Sequence, residues 1–484
     1  MAALKSFMTD YAAIIPLLIV ALAGASAMLA EAFRQPGERM PIAGLGLIGL
    51  AGAAVASVFL WDTDRSSFGV IRADNFSLFI NIVLCIVGVL TMLFSNDVVD
   101  REQLPAGEYY ALTLFAICGM MMMAAATDLL VIFIALEILS LAVYVLTGIR
   151  RGSLAGAEAA FKYFLLGSFS SAFFLYGIAF LFAVAGSTRL EQVSIALSAQ
   201  GASGPPTLAI LGVGLLAVGF AFKVSAVPFH MWTPDAYEGA PTIVTAFMST
   251  GVKAAAFGAF ARVFLSPLEP LQSQWLPVLS VIAALTMIVG TVVGVVQTNI
   301  KRMLAYSSIA HAGYLLLGII AANSAGKAAV LFYLLAYAVS NLGALGIVAL
   351  LGTPENEHDE LRDFAGLKDS RPGLAGLMTV FLLSLGGFPP LAGFIGKWYI
   401  FNAAVQEGHY WLAIIGVLTS VVSVFFYLRI VVMMWMAEGP EIHRPRVPAT
   451  ALAGLALATL AVFYMGVLPT RILQLALDSI ATIF

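Results

Sequence analysis

Charge is what this sequence has least of. Among 484 residues stand 24 basic and 27 acidic side chains, where a soluble chain of that length carries about 120 charges in all. With 61% of residues hydrophobic, a soluble fold would need one core far beyond the usual ~250–300 residues or several domains joined by polar linkers. No such linkers are present. The net charge of −3 lacks the basic footprint of a nucleic-acid binder. Cysteine is scarcer still. Cys85 and Cys118 are the only two and lack CxxC spacing, which excludes a cysteine-held iron–sulfur cluster or zinc ribbon within this chain. Any redox chemistry is therefore expected elsewhere.

What is present is a succession of apolar runs, each near the roughly 20 residues that cross a bilayer. Fourteen are read, at 11–30, 41–61, 74–95, 109–127, 128–148, 158–185, 207–230, 241–265, 275–298, 302–321, 327–351, 373–406, 410–436 and 449–468. The first is too long for the apolar region of a secretory signal and is kept as a helix. The tail after Pro469, with Arg471 and Asp478 among Leu and Ile, reads as an interfacial amphipathic helix. The expectation is an all-α polytopic membrane protein. Counting Lys and Arg in loops and at span ends, twelve fall on one face, from Arg34 and Arg39 to Arg444 and Arg446. Seven fall on the other: Lys5, Arg65, Arg72, Arg189, Arg262, Lys327 and Arg471. The bias puts both termini outside the cytoplasm, which is the periplasm for a bacterial inner membrane.

Internal echoes suggest a repeat. Ala159-Ala160, Leu165-Leu166 and Gly177-Ile178 recur as Ala328-Ala329, Leu334-Leu335 and Gly346-Ile347, and the run Phe222 to Pro228 echoes Leu383 to Pro389, each an apolar helix interrupted by proline. The expected division is an N-terminal three-helix segment (1–108), a five-helix repeat (109–265), a second repeat (275–436) and a last span with its amphipathic tail (437–484). Five crossings per unit would make the second repeat inverted relative to the first, each with one broken helix.

Six charges stand inside spans: Glu137, Lys162, Lys223, Lys253, Lys397 and Arg429. Each costs roughly 2.5–3.5 kcal/mol at a helix centre, so such residues face the protein interior or water and mark ion pathways. Lys223 lies five residues before Pro228, where the unwound backbone must be buried in protein or line a hydrated cavity. Lys253 sits among small residues, Lys397 follows Gly386-Gly387-Phe388-Pro389-Pro390, and Lys162 is early enough in its span to snorkel. Arg429 cannot release its proton and reads as structural. The lysines suit proton transfer, because a carboxylate moving toward or away from a buried amine switches it between holding and releasing a proton. They also repel bare cations, which disfavours sodium. His230, at a helix break, and His311, near Ser307, Ser308 and Tyr314, are candidate relays. Met120–Met123 reads as packing, because a helix fans its sulfurs apart. The charge-rich stretch 355–371 reads as a solvated connector or docking surface.

The strings Phe161-Lys162-Tyr163-Phe164-Leu165-Leu166-Gly167-Ser168, Phe222 through Thr242, Lys301 through Tyr314, and Gly387 through Lys397 make the sequence recognisable. It resembles the antiporter-like membrane subunits of the proton-pumping NADH–quinone oxidoreductase, respiratory complex I, and within them the subunit N family. The resemblance spans essentially the whole chain. It implies proton-transfer roles for Glu137, Lys162, Lys223, Lys253 and Lys397, with a Glu137–Lys223 pair in the first half, Lys253 linking the halves and Lys397 ending the route. A related subunit, M, typically has glutamate where Lys397 stands. The resemblance further implies flavin, iron–sulfur clusters and quinone in partner subunits and none here. It also implies neighbours such as subunits M, K and J, surrounding lipid, and no nucleic acid. The rival readings are a subunit of an Mrp-type cation/proton antiporter and a stand-alone solute transporter; the latter would need a mixed polar pocket where mainly a line of lysines is seen.

Overall fold

The computed structural model describes residues 11–34, 41–199, 206–353, 358–439 and 446–483; Lys5, Arg39, Arg444 and residues 355–357 lie outside them. The protein is an all-α polytopic membrane protein. In chain order run α1 (Ile15–Ala32), α2 (Ile42–Phe59), the hairpin strands β1 (Arg65–Ser67) and β2 (Ile71–Ala73), α3 (Asn75–Arg101), α4 (Ala106–Ala125), α5 (Leu129–Thr147) and α6 (Leu154–Ala185). The short α7 (Leu190–Ser198) precedes α8 (Thr207–Lys223), α9 (Trp232–Gly239), α10 (Thr242–Phe264), α11 (Gln272–Val295), α12 (Ile300–Ala321) and α13 (Ser324–Leu351). The chain closes with α14 (Pro372–Gly386), α15 (Ala392–Gln406), α16 (Tyr410–Met436), α17 (Ala449–Val467) and α18 (Thr470–Ile480). Among the described residues the hairpin is the only sheet.

Among the described residues twelve helices are long and apolar enough to cross a membrane, and α8 and α14 are shorter apolar helices. Each opens a span, 207–230 and 373–406, that was expected to be broken by proline. The break is present in both: α8 stops at Lys223 and α14 at Gly386, and a turn leads from each into a second helix, α9 and α15. Helix starts are set locally. Asp74, Asp128, Ser153, Asn299 and Asn323 each cap a helix by accepting a backbone N–H of its first turn, which satisfies donors that have no partner inside the helix.

At the centre lie α10, α12 and α13, buried along nearly their whole length. Around α13 pack α3, α10, α12, α14, α15, α17 and α18. Helices α6, α16 and α17 are peripheral and expose Leu, Val and Phe, as lipid-facing helices do. The tail helix α18 is amphipathic as expected, with Leu473, Ala476 and Ile480 buried and Arg471, Gln474 and Asp478 exposed.

Three sequence expectations are revised by packing. Arg262, counted as a span-end cation, is fully buried and makes a bidentate ion pair with Asp74, both contacts 2.8 Å, with a further bond to the Ala124 carbonyl. It thereby ties the ends of α3, α4 and α10 together. Lys301, also counted with the loops, is buried and donates to the Ala240 carbonyl at 2.7 Å. The described part of the connector, 358–371, is no free loop: Leu361, Phe364 and Leu367 are buried, and Leu361 N–H reaches the Thr298 carbonyl at 2.8 Å.

Candidate functional site

Each broken helix exposes backbone groups that must find partners at membrane depth. At the first break the Trp232 indole N–H donates to the Phe222 carbonyl at 3.1 Å, Val227 N–H donates to Thr286 Oγ1 at 2.9 Å, and Thr233 Oγ1 donates to Ser225 Oγ at 2.8 Å. Lys223 is left free to turn its amine sideways. It donates to Ser140 Oγ at 2.6 Å and lies 5.6 Å from the ring centres of both Tyr144 and Tyr163, faces that favour a cation. The Tyr163 ring is itself stacked on Trp232, centroids 4.1 Å apart.

Glu137 is on α5, one turn before Ser140, half-buried and accepting from Ser171 Oγ on α6. The expected Glu137–Lys223 pair is not an ion contact; Lys223 meets the same helix one turn further along. Lys162 stands apart from both. It is exposed and paired with Glu158 at 2.7 Å and Asp235 at 2.9 Å. Asp235 also accepts from Arg302 at 2.9 Å, and Arg302 donates to Glu238 at 2.7 Å. His230 is half-buried at the break, and its Nδ1 has no hydrogen-bond partner among the described residues.

The second polar cluster is wholly interior. Lys253, at the end of a π-helical turn in α10, donates to the Ser308 carbonyl. Ser308 Oγ accepts from Tyr337 at 2.8 Å, and the Tyr337 ring lies 5.0 Å from that of His311. His311 is bonded at both nitrogens, Nδ1 to Tyr333 OH at 2.6 Å and Nε2 to Tyr427 OH at 3.0 Å, and Tyr427 is bonded in turn to Ser307. Asn341 on α13 donates to Ser249 on α10 at 2.7 Å. Beyond His311 comes Tyr314, whose ring lies 5.2 Å from the Lys397 amine. Lys397 donates to the Leu385 carbonyl at 3.0 Å, the Gly386 carbonyl at 3.1 Å and Ser420 Oγ at 2.9 Å. Three acceptors are the full complement of an ammonium. Glycine makes this second break possible: Gly387 has φ +86, and a Cβ on Gly393 would stand 1.9 Å from the Ser384 carbonyl oxygen.

The structure thus gathers Lys253, Ser307, His311 and Lys397 into one contiguous cluster, sets Glu137 and Lys223 on neighbouring faces at the first break, and leaves Lys162 and His230 outside both. Arg429 is structural as read, donating to the carbonyls of Val295 and Gln297 at the end of α11. Sequence reasoning missed Ser140, Tyr144, Tyr163, Tyr333, Tyr337 and Tyr427. Tyr333 and Tyr337 are four apart, one helical turn, and that spacing in an apolar run was a usable signal.

The family profile described as "NADH:quinone oxidoreductase/Mrp antiporter, TM" matches residues 126–423. NADH-quinone oxidoreductase subunit N of Trichlorobacter lovleyi is 44% identical over 473 residues, covering 97% of this chain and 97% of that one. A chain in the structure of respiratory complex I from Thermus thermophilus with bound aureothin is 35% identical, with a TM-score of 0.81, over 96% of this chain and 100% of that one. A chain of the Mrp complex from Dietzia shares the fold, with a TM-score of 0.81 over 98% of this chain and 97% of that one, at 21% identity. By identity along nearly its whole length, the chain belongs to the NADH-quinone oxidoreductase subunit N family.

Proposed function

We infer that this chain is a proton-translocating membrane subunit of a bacterial NADH-quinone oxidoreductase, moving protons through its buried Glu, Lys, His and Tyr side chains while quinone is reduced in other subunits. One observation carries the reading: the unbroken run of contacts from Lys253 to the Ser308 carbonyl, from Ser308 Oγ to Tyr337, and through the His311 and Tyr314 rings to Lys397. An imidazole between two hydroxyls takes a proton at one nitrogen and releases one at the other. Hydroxyls of Ser307, Tyr333 and Tyr427 both donate and accept, so they can pass protons. In the first half, Lys223 is the proton carrier and Glu137 the carboxylate whose approach favours its charged form. Lys162 gathers protons at the surface and His230 serves the break.

On this reading the chain is part of a translocase, and flavin, iron–sulfur clusters and quinone belong to partner subunits; two cysteines are too few for a four-thiolate cluster. Its neighbours are further membrane subunits, including M, K and J, together with lipid. Its place is the bacterial inner membrane with both termini on the periplasmic side. The two inverted five-helix units at 109–265 and 275–436 organise the two breaks. An Mrp-type antiporter subunit is the weaker alternative, since the likeness to the Mrp chain at 21% identity supports the fold alone.

The test is to purify the chain with its neighbours and to compare Lys223→Met with the wild type in inverted membrane vesicles. NADH-binding and iron–sulfur subunits should copurify, and the variant should assemble but lose pumping by about 10²-fold or more, the ordinary worth of a proton-transferring group. Normal pumping by the variant would sink the role of Lys223.

A further inference from the structure

A cavity of ≈ 600 Å³ lies away from both polar clusters, where the ends of several spans meet. Its wall is built from the β1–β2 hairpin, Thr127 between α4 and α5, the start of α7, the end of α10 and the C-terminal Ile483. Three arginines line it, Arg72, Arg189 and Arg262, with one acid, Glu191. Two of the arginines are already neutralised by bidentate pairs, Arg72 with Asp64 at 2.6 Å and Arg262 with Asp74 at 2.8 Å. That leaves Arg189 and Glu191, whose side chains make no ion pair or hydrogen bond among the described residues, Glu191 acting on Arg72 only through space. They are two positions apart, of opposite sign, and open to the same cavity.

The pocket is shaped for more than a free anion. The Arg189 guanidinium is laid over the hairpin turn, so close that a Cβ on Gly69 would stand 3.4 Å from it. The hydroxyl-bearing Thr127 and Ser194 line the same wall beside apolar Leu190 and Ile195. A bare phosphate would satisfy Arg189 but face the Glu191 carboxylate, a like charge. A ligand with a phosphate and a nearby ammonium answers both, each through a charge-assisted contact. Position favours a lipid: the cavity lies just beyond the end of α6, and the Ile195 that lines it is exposed at 62%, an apolar surface for acyl chains beside a polar head.

We propose that this cavity binds the phosphoethanolamine headgroup of a membrane phospholipid, with Arg189 on the phosphate and Glu191 on the ammonium. The site is independent of the proton-transfer reading, and its failure would leave that reading untouched.

The experiment uses the complex that carries the full-length chain. After delipidation it is reconstituted into phosphatidylglycerol vesicles containing a minor fraction of phosphatidylethanolamine with a photoreactive group high on one acyl chain, and the crosslinked peptides are identified. The expected result is preferential labelling of the peptide spanning 187–198, reduced about tenfold or more in both Arg189→Ala and Glu191→Gln as each loses one charge-assisted contact. Both residues are exposed, so folding is preserved, and labelling of the lipid-facing side of α11 serves as the internal control. Photoreactive phosphatidylglycerol should show no preference for 187–198, and inorganic phosphate should not compete. Unchanged labelling in Arg189→Ala would overturn the site. Loss in Arg189→Ala with none in Glu191→Gln, or equal labelling by phosphatidylglycerol, would overturn the zwitterionic assignment. Competition by inorganic phosphate would make it a free-anion site instead.

Discussion

At the first break an indole holds the stranded carbonyl of Phe222, and Lys223 turns away to a serine and two aromatic faces. At the second break Lys397 itself holds the stranded carbonyls of Leu385 and Gly386. The same type of residue thus has two jobs. In the first half the lysine bonds a side-chain hydroxyl and has a carboxylate, Glu137, on the helix it touches. In the second half the lysine completes the fold of the break, and its hydrogen-bond partners are all neutral. The difference teaches that a charged side chain inside a span can be kept for the backbone as well as for the ion it moves.

Comparing Lys397→Met with Lys223→Met tests this most severely. Removal of Lys397 leaves two buried carbonyls without their donor, at about 1–3 kcal/mol each, so the complex should lose thermal stability and yield as well as pumping. Lys223→Met should lose pumping alone. Equal stability of the two variants in membranes would erase the distinction drawn here. Next in size is Glu137→Gln, which removes the first half's carboxylate and leaves the second half as it is. Pumping should fall, though by less than on removal of the carrier itself, with quinone reduction slowed in parallel; an unchanged rate would detach Glu137 from Lys223.

A smaller and sharper contrast is Ser140→Ala against Ser420→Ala. Lys223 has a single hydrogen-bond acceptor, whereas Lys397 keeps two carbonyls after losing Ser420. Ser140→Ala should slow pumping by about fivefold, the worth of one hydrogen bond, and Ser420→Ala by under about twofold. The reverse order, measured in the same vesicles, would contradict the geometry. The smallest effect belongs to Lys162→Met. Its amine is exposed and shared with Glu158 and Asp235, and exposed pairs contribute little. Pumping should stay within about twofold of the wild type, and a loss as deep as that of Lys223→Met would show that Lys162 lies on the main route.

Much of this was legible beforehand. Lys223, Lys253 and Lys397 stood out because a cation inside an apolar run is costly, and Pro228 and Pro389 marked where helices must break. Tyr427 and Tyr333 did not, because tyrosine is common in membrane helices and only the packing of α16 and α13 against α12 brings their hydroxyls to His311. Arg262 was misjudged because its distance along the chain from Asp74 hides their contact, and a span-end arginine is most often solvated.

From the sequence alone came the solvent the chain lives in, the number and rough extents of its apolar runs, and the few charges too costly to be accidental. These follow from local quantities, hydropathy over one helix length and residue type at one position. Only the tertiary structure decided which charge meets which. It set Lys223 against Ser140 rather than Glu137, made Lys397 the donor to its own break, and left Arg189 and Glu191 in one cavity without an ion pair among the described residues. Such pairings depend on how helices distant in sequence rotate and pack, and a side chain's partner is a property of that packing and not of its own run of residues.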